Sequence, residues 1–329
     1  MSTPPAVASQ GETFAHIQQI GARLVANIEQ VISGKTEAVR LAVATFFAGG
    51  HMLIEDVPGV GKTMLARALA ASVSGKVNRI QFTPDMLPSD VTGAPIFSDK
   101  TKSFVFEPGP IFANIVIGDE INRASPKTQS ALLECMEEGQ VSVDAETHPL
   151  SPPFCVIATQ NPIDMDGTFG LLEAQRDRFM TRLTMGYPDE RAERELVRAR
   201  DHEDPIARLA PVATLDLVLR VMSWCRRVHV SNAASNYAIA LTRATRREST
   251  LRLGASPRAA IHLLAAAKAH AAIRGRDHIL PDDIDELAVP VLTHRLLPSV
   301  PRRGQDVSEE LAAVVRNIVA TTPVPLDLS

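Results

Sequence analysis

The residues with the clearest chemical potential form one run, Asp56-Val57-Pro58-Gly59-Val60-Gly61-Lys62-Thr63. The apolar Met52, Leu53 and Ile54 before it read as a buried strand, and Met64 through Ala70 after it has helix-forming composition and spacing. A Gly-containing turn between strand and helix aims consecutive backbone N–H groups inward, and the helix adds the positive end of its dipole. Such a cradle suits the phosphates of a nucleoside triphosphate. Lys62 adds a point charge, and Thr63 places a hydroxyl where Mg²⁺ bridging two phosphates needs an oxygen ligand. Pro58, Gly59, Val60, Gly61 and Met64 complete the expected contact set. One position departs from the strict pattern: Asp56 stands where the first Gly belongs, so its carboxylate is expected to point away from the phosphates.

Two further constellations fall at strand ends. Ile115-Val116-Ile117-Gly118 is a continuous apolar run, as in a central strand buried on both faces, and it ends in Asp119-Glu120. Carboxylates there arrive where ligands bind in open α/β sheets. Asp119 can hold Mg²⁺ and Glu120 can orient an attacking water, since phosphoryl transfer depends on positioning and electrostatics. Acidic pairs after strands are common, so the argument rests on pairing this motif with Lys62. Phe154 through Ala158 is a third strand ending in Thr159-Gln160-Asn161-Pro162. A neutral amide at Asn161 could bond both γ-phosphate and water; the bland alternative is an Asn-Pro turn.

The elements that must position these groups follow from composition. The chain has 329 residues, 45% of them hydrophobic, and exceeds the roughly 250–300 residues at which single cores stop growing. Up to about Tyr187 short strands (Met52–Ile54, Arg79–Phe82, Ile115–Ile117, Phe154–Ala158) alternate with helical patterns, predicting a parallel sheet flanked by helices. Beyond it the chain is Ala-, Leu- and Arg-rich with helical spacing through Val197, Leu215–Trp224, Tyr237–Arg247 and Pro257–Arg274. The expected division is a flexible 1–14, an α/β ATPase core over 15–187 and an all-α lid over 188–329. A net charge of −4 argues against a broadly basic nucleic-acid surface. No apolar stretch reaches the roughly 18 residues of a membrane span, and no leader pattern opens the chain, so a cytoplasmic protein is expected. Cys135, Cys155 and Cys225 are far apart and read as reduced core thiols; His51, His148 and His262 lack metal-ligand spacing.

The stretches Gly109-Pro110-Ile111-Phe112, Asp119 through Glu134 and Gln81 through Asp90 resemble the MoxR family of AAA+ ATPases, and the likeness runs from about Val31 into the helical region. The resemblance implies an αβα P-loop sandwich with a helical lid, ATP and Mg²⁺ as ligands, and a homo-oligomer, a hexameric ring. Residue by residue, Lys62 and Thr63 match the Walker A lysine and threonine, Asp119 and Glu120 the Walker B pair, and Asn161 sensor 1. Val31 and Ile32 resemble the adenine-side contact. Arg178 matches the arginine that reaches a neighbouring subunit's γ-phosphate, although the family usually has Pro near Leu172 and an apolar residue at Arg176, which keeps Arg176 as an alternative. Arg258, in the N-cap sequence Ser256-Pro257-Arg258, matches sensor 2, for which an always-charged, five-donor guanidinium is suited. The strands around Ser98–Ser103, and Gln140–Val143 with His148–Leu150, resemble the insertion within helix 2 and the hairpin before sensor 1. Alternating Phe104 and Phe106 fit strand core better than substrate contact.

The main expectation is therefore an ATP-hydrolysing, chaperone-like ring that remodels or activates a partner, by resemblance a von Willebrand factor A domain protein. A magnesium-chelatase-like motor subunit is the nearest alternative. A nucleic-acid-stimulated motor and a non-hydrolysing ATP switch are others; the acidic charge disfavours the first, and Glu120, Asn161 and Arg178 together disfavour the second.

Overall fold

A computed structural model describes residues 10–57, 59–143, 146–161, 169–187, 190, 193–194, 205–300 and 307–325. The first part of the chain runs α1 (Gln10–Glu29), α2 (Thr36–Phe47), β1 (Met52–Glu55), α3 (Lys62–Ala71), β2 (Val77–Gln81), α4 (Pro88–Thr92), β3 (Gly93–Ser98), β4 (Ser103–Pro108), β5 (Ile115–Asp119), α5 (Pro126–Glu138), β6 (Gln140–Val143), β7 (Glu146–Pro149), β8 (Cys155–Gln160), α6 (Glu173–Arg176) and β9 (Thr181–Leu183). The helical part follows as α7 (Leu215–Arg226), α8 (Asn232–Thr245), β10 (Leu251–Leu253), α9 (Pro257–Ile273), α10 (Pro281–Leu292), β11 (Leu297–Pro298) and α11 (Ser308–Thr321).

Five strands form a parallel sheet in the order β2-β5-β8-β1-β9. The period-2 alternation of strand side chains sorts them onto two cores. Met52, Ile54, Ile115, Ile117, Cys155 and Ile157 face α1–α3 and the lid helices, whereas Leu53, Val116, Val156 and Ala158 face α5 and the region of the hairpins. Every residue of β5 is buried, which is why its sequence is uninterruptedly apolar up to Asp119. Burying each such Ile or Val contributes about 1.5–3 kcal/mol. At Gly118 an added Cβ would stand 3.0 Å from the Phe82 ring, so the glycine admits that buried aromatic.

The lid is a helical cluster built around α9. Its buried Ala259, Ala266, Ala267, Ala269, Ala271 and Ala272 let neighbouring helices approach closely. Lid and core share one continuous apolar cluster. The P-loop α/β architecture with a following helical lid is the one expected. Among the elements that went unforeseen are α1, which begins at Gln10, ahead of the expected boundary at 14, and β9, which completes the sheet beside β1. The helical pattern expected up to Val197 lies largely outside the described residues.

Both insertions are antiparallel hairpins, β3–β4 and β6–β7. Phe104 and Phe106 share a face but part company. Phe106 stacks on His148 (centroids 3.9 Å) and meets Phe112 edge-on, whereas Phe104, 72% exposed, pairs with Phe97 in solvent. The core expectation holds for Phe106 and is corrected for Phe104, because only the base of the hairpin reaches the second core. Cys135, Cys155 and Cys225 are free and buried, and burial pushes each thiol up to about 12. His51 is buried, its Nδ1 accepting from the Val156 N–H, and burial pushes it down to about 4.

Candidate active site

The turn between β1 and α3 owes its shape to two left-handed glycines, Gly59 at φ 85° and Gly61 at φ 91°, the latter capping α3. Asp56 does point away: Oδ1 accepts from the Val57 N–H (2.8 Å), and Oδ2 from the N–H groups of Met185 (2.7 Å) and Gly186 (2.6 Å). Its carboxylate thus ties the turn to the chain after β9. Ile32 is buried beside Gly61, 4.0 Å from where a Cβ there would stand, with Val31 half-buried before it. Pro58 lies outside the described residues.

Lys62 donates to the Gln160 carbonyl (3.1 Å), the Asn161 Oδ1 (2.5 Å) and the Asp56 carbonyl. Burial holds its ammonium below the ordinary lysine range, against the pull of Asp56, Glu120, Glu55 and Asp119. Asp119 is 3% exposed. Its Oδ1 accepts from the hydroxyls of Thr63 (2.8 Å) and Thr159 (3.1 Å), and its Oδ2 from Arg79 Nε (2.7 Å). A Thr hydroxyl against a buried carboxylate, with Lys62 and the loop N–H groups alongside, is an oxygen-rich donor set that fits Mg²⁺ and a phosphate chain. Gln160 Oε1, buried at the same strand end, has no hydrogen-bond partner among the described residues.

Glu120 takes a left-handed backbone (φ 57°, ψ 51°) as β5 turns into the short helix Ile121–Arg123. Such strain in a non-Gly residue costs about 1–3 kcal/mol and concentrates at functional sites. Its N–H donates to Thr159 Oγ1 (3.0 Å), and its carboxylate pairs with Arg123 Nε (2.8 Å). Thr159 therefore joins the two acidic residues, a role that its place at a strand end did not announce.

Arg178 and Arg258 lie elsewhere. Met52 pairs in register with Thr181, and the Met180 N–H donates to the His51 carbonyl (2.9 Å), so Arg178 sits where β1 and β9 begin. Lys62 and Asn161 follow the points where β1 and β8 end. The four residues of β1 separate the two edges, roughly 13 Å of strand at about 3.3 Å per residue. Arg178 Nε donates to Glu137 Oε2 (2.8 Å), and Arg258 donates through Nη2 to the other oxygen of the same carboxylate. Hydrogen bonds from Arg258 and Arg178 hold the Glu137 carboxyl below the usual range. These groups line a cleft with Gly49, Gly50, His51 and His262. Burial and Arg295 push His262 down to about 3.

Arg176 is half-buried. Burial lowers its guanidinium, opposed by Glu55 and Glu173, and its Nε has no hydrogen-bond partner among the described residues. The expected site residues thus fall into two groups: Lys62, Thr63, Asp119, Glu120 and Asn161 at one edge, Arg178 and Arg258 at the other. Neither of those arginines joins its own chain's phosphate loop.

Known proteins resemble the chain along nearly its whole length. A family described as "ATPase family associated with various cellular activities (AAA)" matches residues 51–181, and an AAA lid domain family matches residues 243–314. A Bacillus subtilis protein, YeaC, of uncharacterised function is 45% identical over 93% of this chain and 95% of its own. The Mycobacterium tuberculosis protein named Chaperone MoxR1 is 38% identical over 92% of this chain and 82% of its own. The crystal structure of a candidate ATPase from Cytophaga hutchinsonii superposes with a TM-score of 0.85 at 34% identity, covering 96% of this chain and 98% of that one. With this similarity added to a P-loop sheet and a helical lid, the chain belongs to the MoxR family of AAA+ ATPases.

Proposed function

We propose that copies of this chain assemble head to tail into a ring, six-membered by the family resemblance, that hydrolyses ATP with Mg²⁺ and uses the motion to remodel or activate a partner protein in the cytoplasm. The observation that carries this reading is the separation of the site into two edges of one sheet. A heterologous contact puts one copy's Arg178 edge against the next copy's Lys62 edge, and repeated rotation closes such contacts into a ring. Within one copy the two cannot meet.

The roles follow from the geometry. The N–H groups of the Gly59–Gly61 turn and Lys62 bind phosphate oxygens, with Ile32 and Val31 on the adenine side. Thr63 and Asp119 are the residues that would hold Mg²⁺, which when bound neutralises charge on the phosphate chain. Glu120, fixed to Asp119 through Thr159, orients the attacking water. Asn161, bonded to Lys62, reports phosphate state to the strand end. Arg178 from the adjacent copy stabilises the charge that develops on the transferred group. The buried Nε of Arg176, against the partly exposed Arg178, supports Arg178 as the residue that crosses. For Arg258, pairing through Glu137 supports the same direction of action, toward a neighbour.

The relative named Chaperone MoxR1 supports remodelling of a partner. So does the hairpin β3–β4, whose Ile96, Phe97, Phe104 and Val105 are all about half-exposed or more. A partner with a von Willebrand factor A domain is the class implied by the resemblance. Net charge of −4 disfavours a nucleic-acid motor. ATP turnover per subunit against protein concentration, for wild type and Arg178→Ala, tests the reading. Turnover that rises with concentration only in wild type supports shared sites, and a flat, Arg178-independent rate overturns them.

A further inference from the structure

Two consecutive residues of one loop are tied to two positions near the start of one lid helix. Asp177 Oδ2 accepts from the Ser256 hydroxyl (2.8 Å), and Ser256 is the N-cap of α9; Asp177 Oδ1 accepts from Nε of the buried Arg295 (2.8 Å). The next residue, Arg178, and Arg258, two positions beyond Ser256, meet on the carboxylate of Glu137 near the end of α5. One carboxylate therefore stands between two guanidinium groups that come from core and lid, each bonded to a different oxygen.

We infer that Glu137 is a positioning residue that joins Arg178 and Arg258 into one two-pronged clamp for the phosphate oxygens of a nucleotide bound on the adjacent copy. The inference rests on the preceding reading that these arginines act across an interface. Two guanidinium groups this close repel each other unless a negative charge lies between them. The carboxylate supplies it and fixes their spacing. Among the described residues the pairing uses one side-chain nitrogen of each arginine, which leaves most of the five N–H donors of each for a planar, charge-assisted grip on phosphate. Asp177, held by Ser256 and Arg295, keeps the loop and the helix start at one separation, so the two prongs move with the lid as a unit. An ordinary stabilising role is a poor account of Glu137, because partly exposed ion pairs contribute little to folding.

The test is steady-state ATP turnover of the full chain with Mg²⁺, at a concentration where turnover per wild-type subunit has reached its plateau, with assembly followed by sedimentation. Glu137→Ala is expected to lower kcat by about 10- to 100-fold, since small misplacements of reacting partners cost that much. KM for ATP stays within about twofold of wild type, because ATP is held at the opposite edge. Glu137→Gln, which keeps one good acceptor, falls between. Added to Arg178→Ala/Arg258→Ala, Glu137→Ala causes no further loss, because it acts through those two side chains. If the arginine variants lose turnover while Glu137→Ala keeps it or raises it, the clamp is wrong and the shared site stands. A further drop in the double-arginine background also refutes the clamp. If the arginine variants turn over like wild type, the shared site and the clamp fall together.

Discussion

The two edges of the sheet solve positioning differently. At the carboxyl edge the working groups belong to one layer: the turn after β1, the end of β5 and the end of β8 lie on neighbouring strands, and the buried Asp119 takes three side-chain donors. The side-chain bonds that hold it come from neighbouring strands and turns of the core. At the amino edge two long, partly exposed arginines from different layers are held by one ion pair and by the Asp177–Ser256–Arg295 tie. The proposed nucleotide site thus lies within the sheet layer of one copy. In the proposed ring, what one copy would offer the next depends on how lid and core sit together, so the lid is where hydrolysis would be coupled to motion.

The strongest way to sharpen this contrast is to remove Lys62. Lys62→Ala leaves no measurable ATP binding by calorimetry, since the ammonium is the cationic centre of the carboxyl edge. Arg178→Ala does the opposite: ATP affinity stays close to wild type while turnover falls by about 10³–10⁵, the range of a trans-acting arginine. Comparable losses of binding in both variants would break the comparison. Glu120→Gln binds ATP but slows turnover by about 10²–10⁴, the usual contribution of a positioned base; rapid-quench measurement of the chemical step checks it.

The smallest effect is in the lid itself and is read as stability. Burial opposes ionisation of Asp283, but Arg276, His270 and the Leu280 N–H outweigh it and hold the carboxyl well below its ordinary value of 3.8. A depressed carboxyl stabilises the fold above the unfolded-state value, and that contribution is lost as pH falls through about 4 toward the folded-state value. Asp283→Ala, which leaves the partly exposed Arg276 without its buried partner, costs about 1.5–3 kcal/mol near neutral pH. Denaturant titration measures it, and the difference from wild type should shrink in acid.

The carboxyl edge was legible in the sequence because its chemistry is contiguous: a Gly-rich turn, an acidic pair after an apolar run, an amide after another. Even the direction of Asp56 followed from charge alone. Thr159, Arg79 and Arg123 were not legible, because each meets its partner through strand register or a turn that local spacing does not reveal. Glu137 was hidden for another reason: within Glu134-Cys135-Met136-Glu137-Glu138 it reads as one more solvated helix charge. β9 was missed because Thr181-Arg182-Leu183 is short and carries an arginine, whose charge is met inside the fold by Glu55. The choice between Arg176 and Arg178 could not be made from types and spacing, since what separates them, a buried Nε in one and an ion pair with Glu137 in the other, is tertiary.

Mixing two inactive variants decides whether one active site is made from two copies. Lys62→Ala carries an intact Arg178 edge, and Arg178→Ala an intact Lys62 edge. Combined at equal concentration, they should recover ATP turnover that neither shows alone, with a maximum near equal ratio. Mixtures as inactive as their parents, from variants shown by sedimentation to assemble together, would contradict the shared site and place every catalytic group within a single copy.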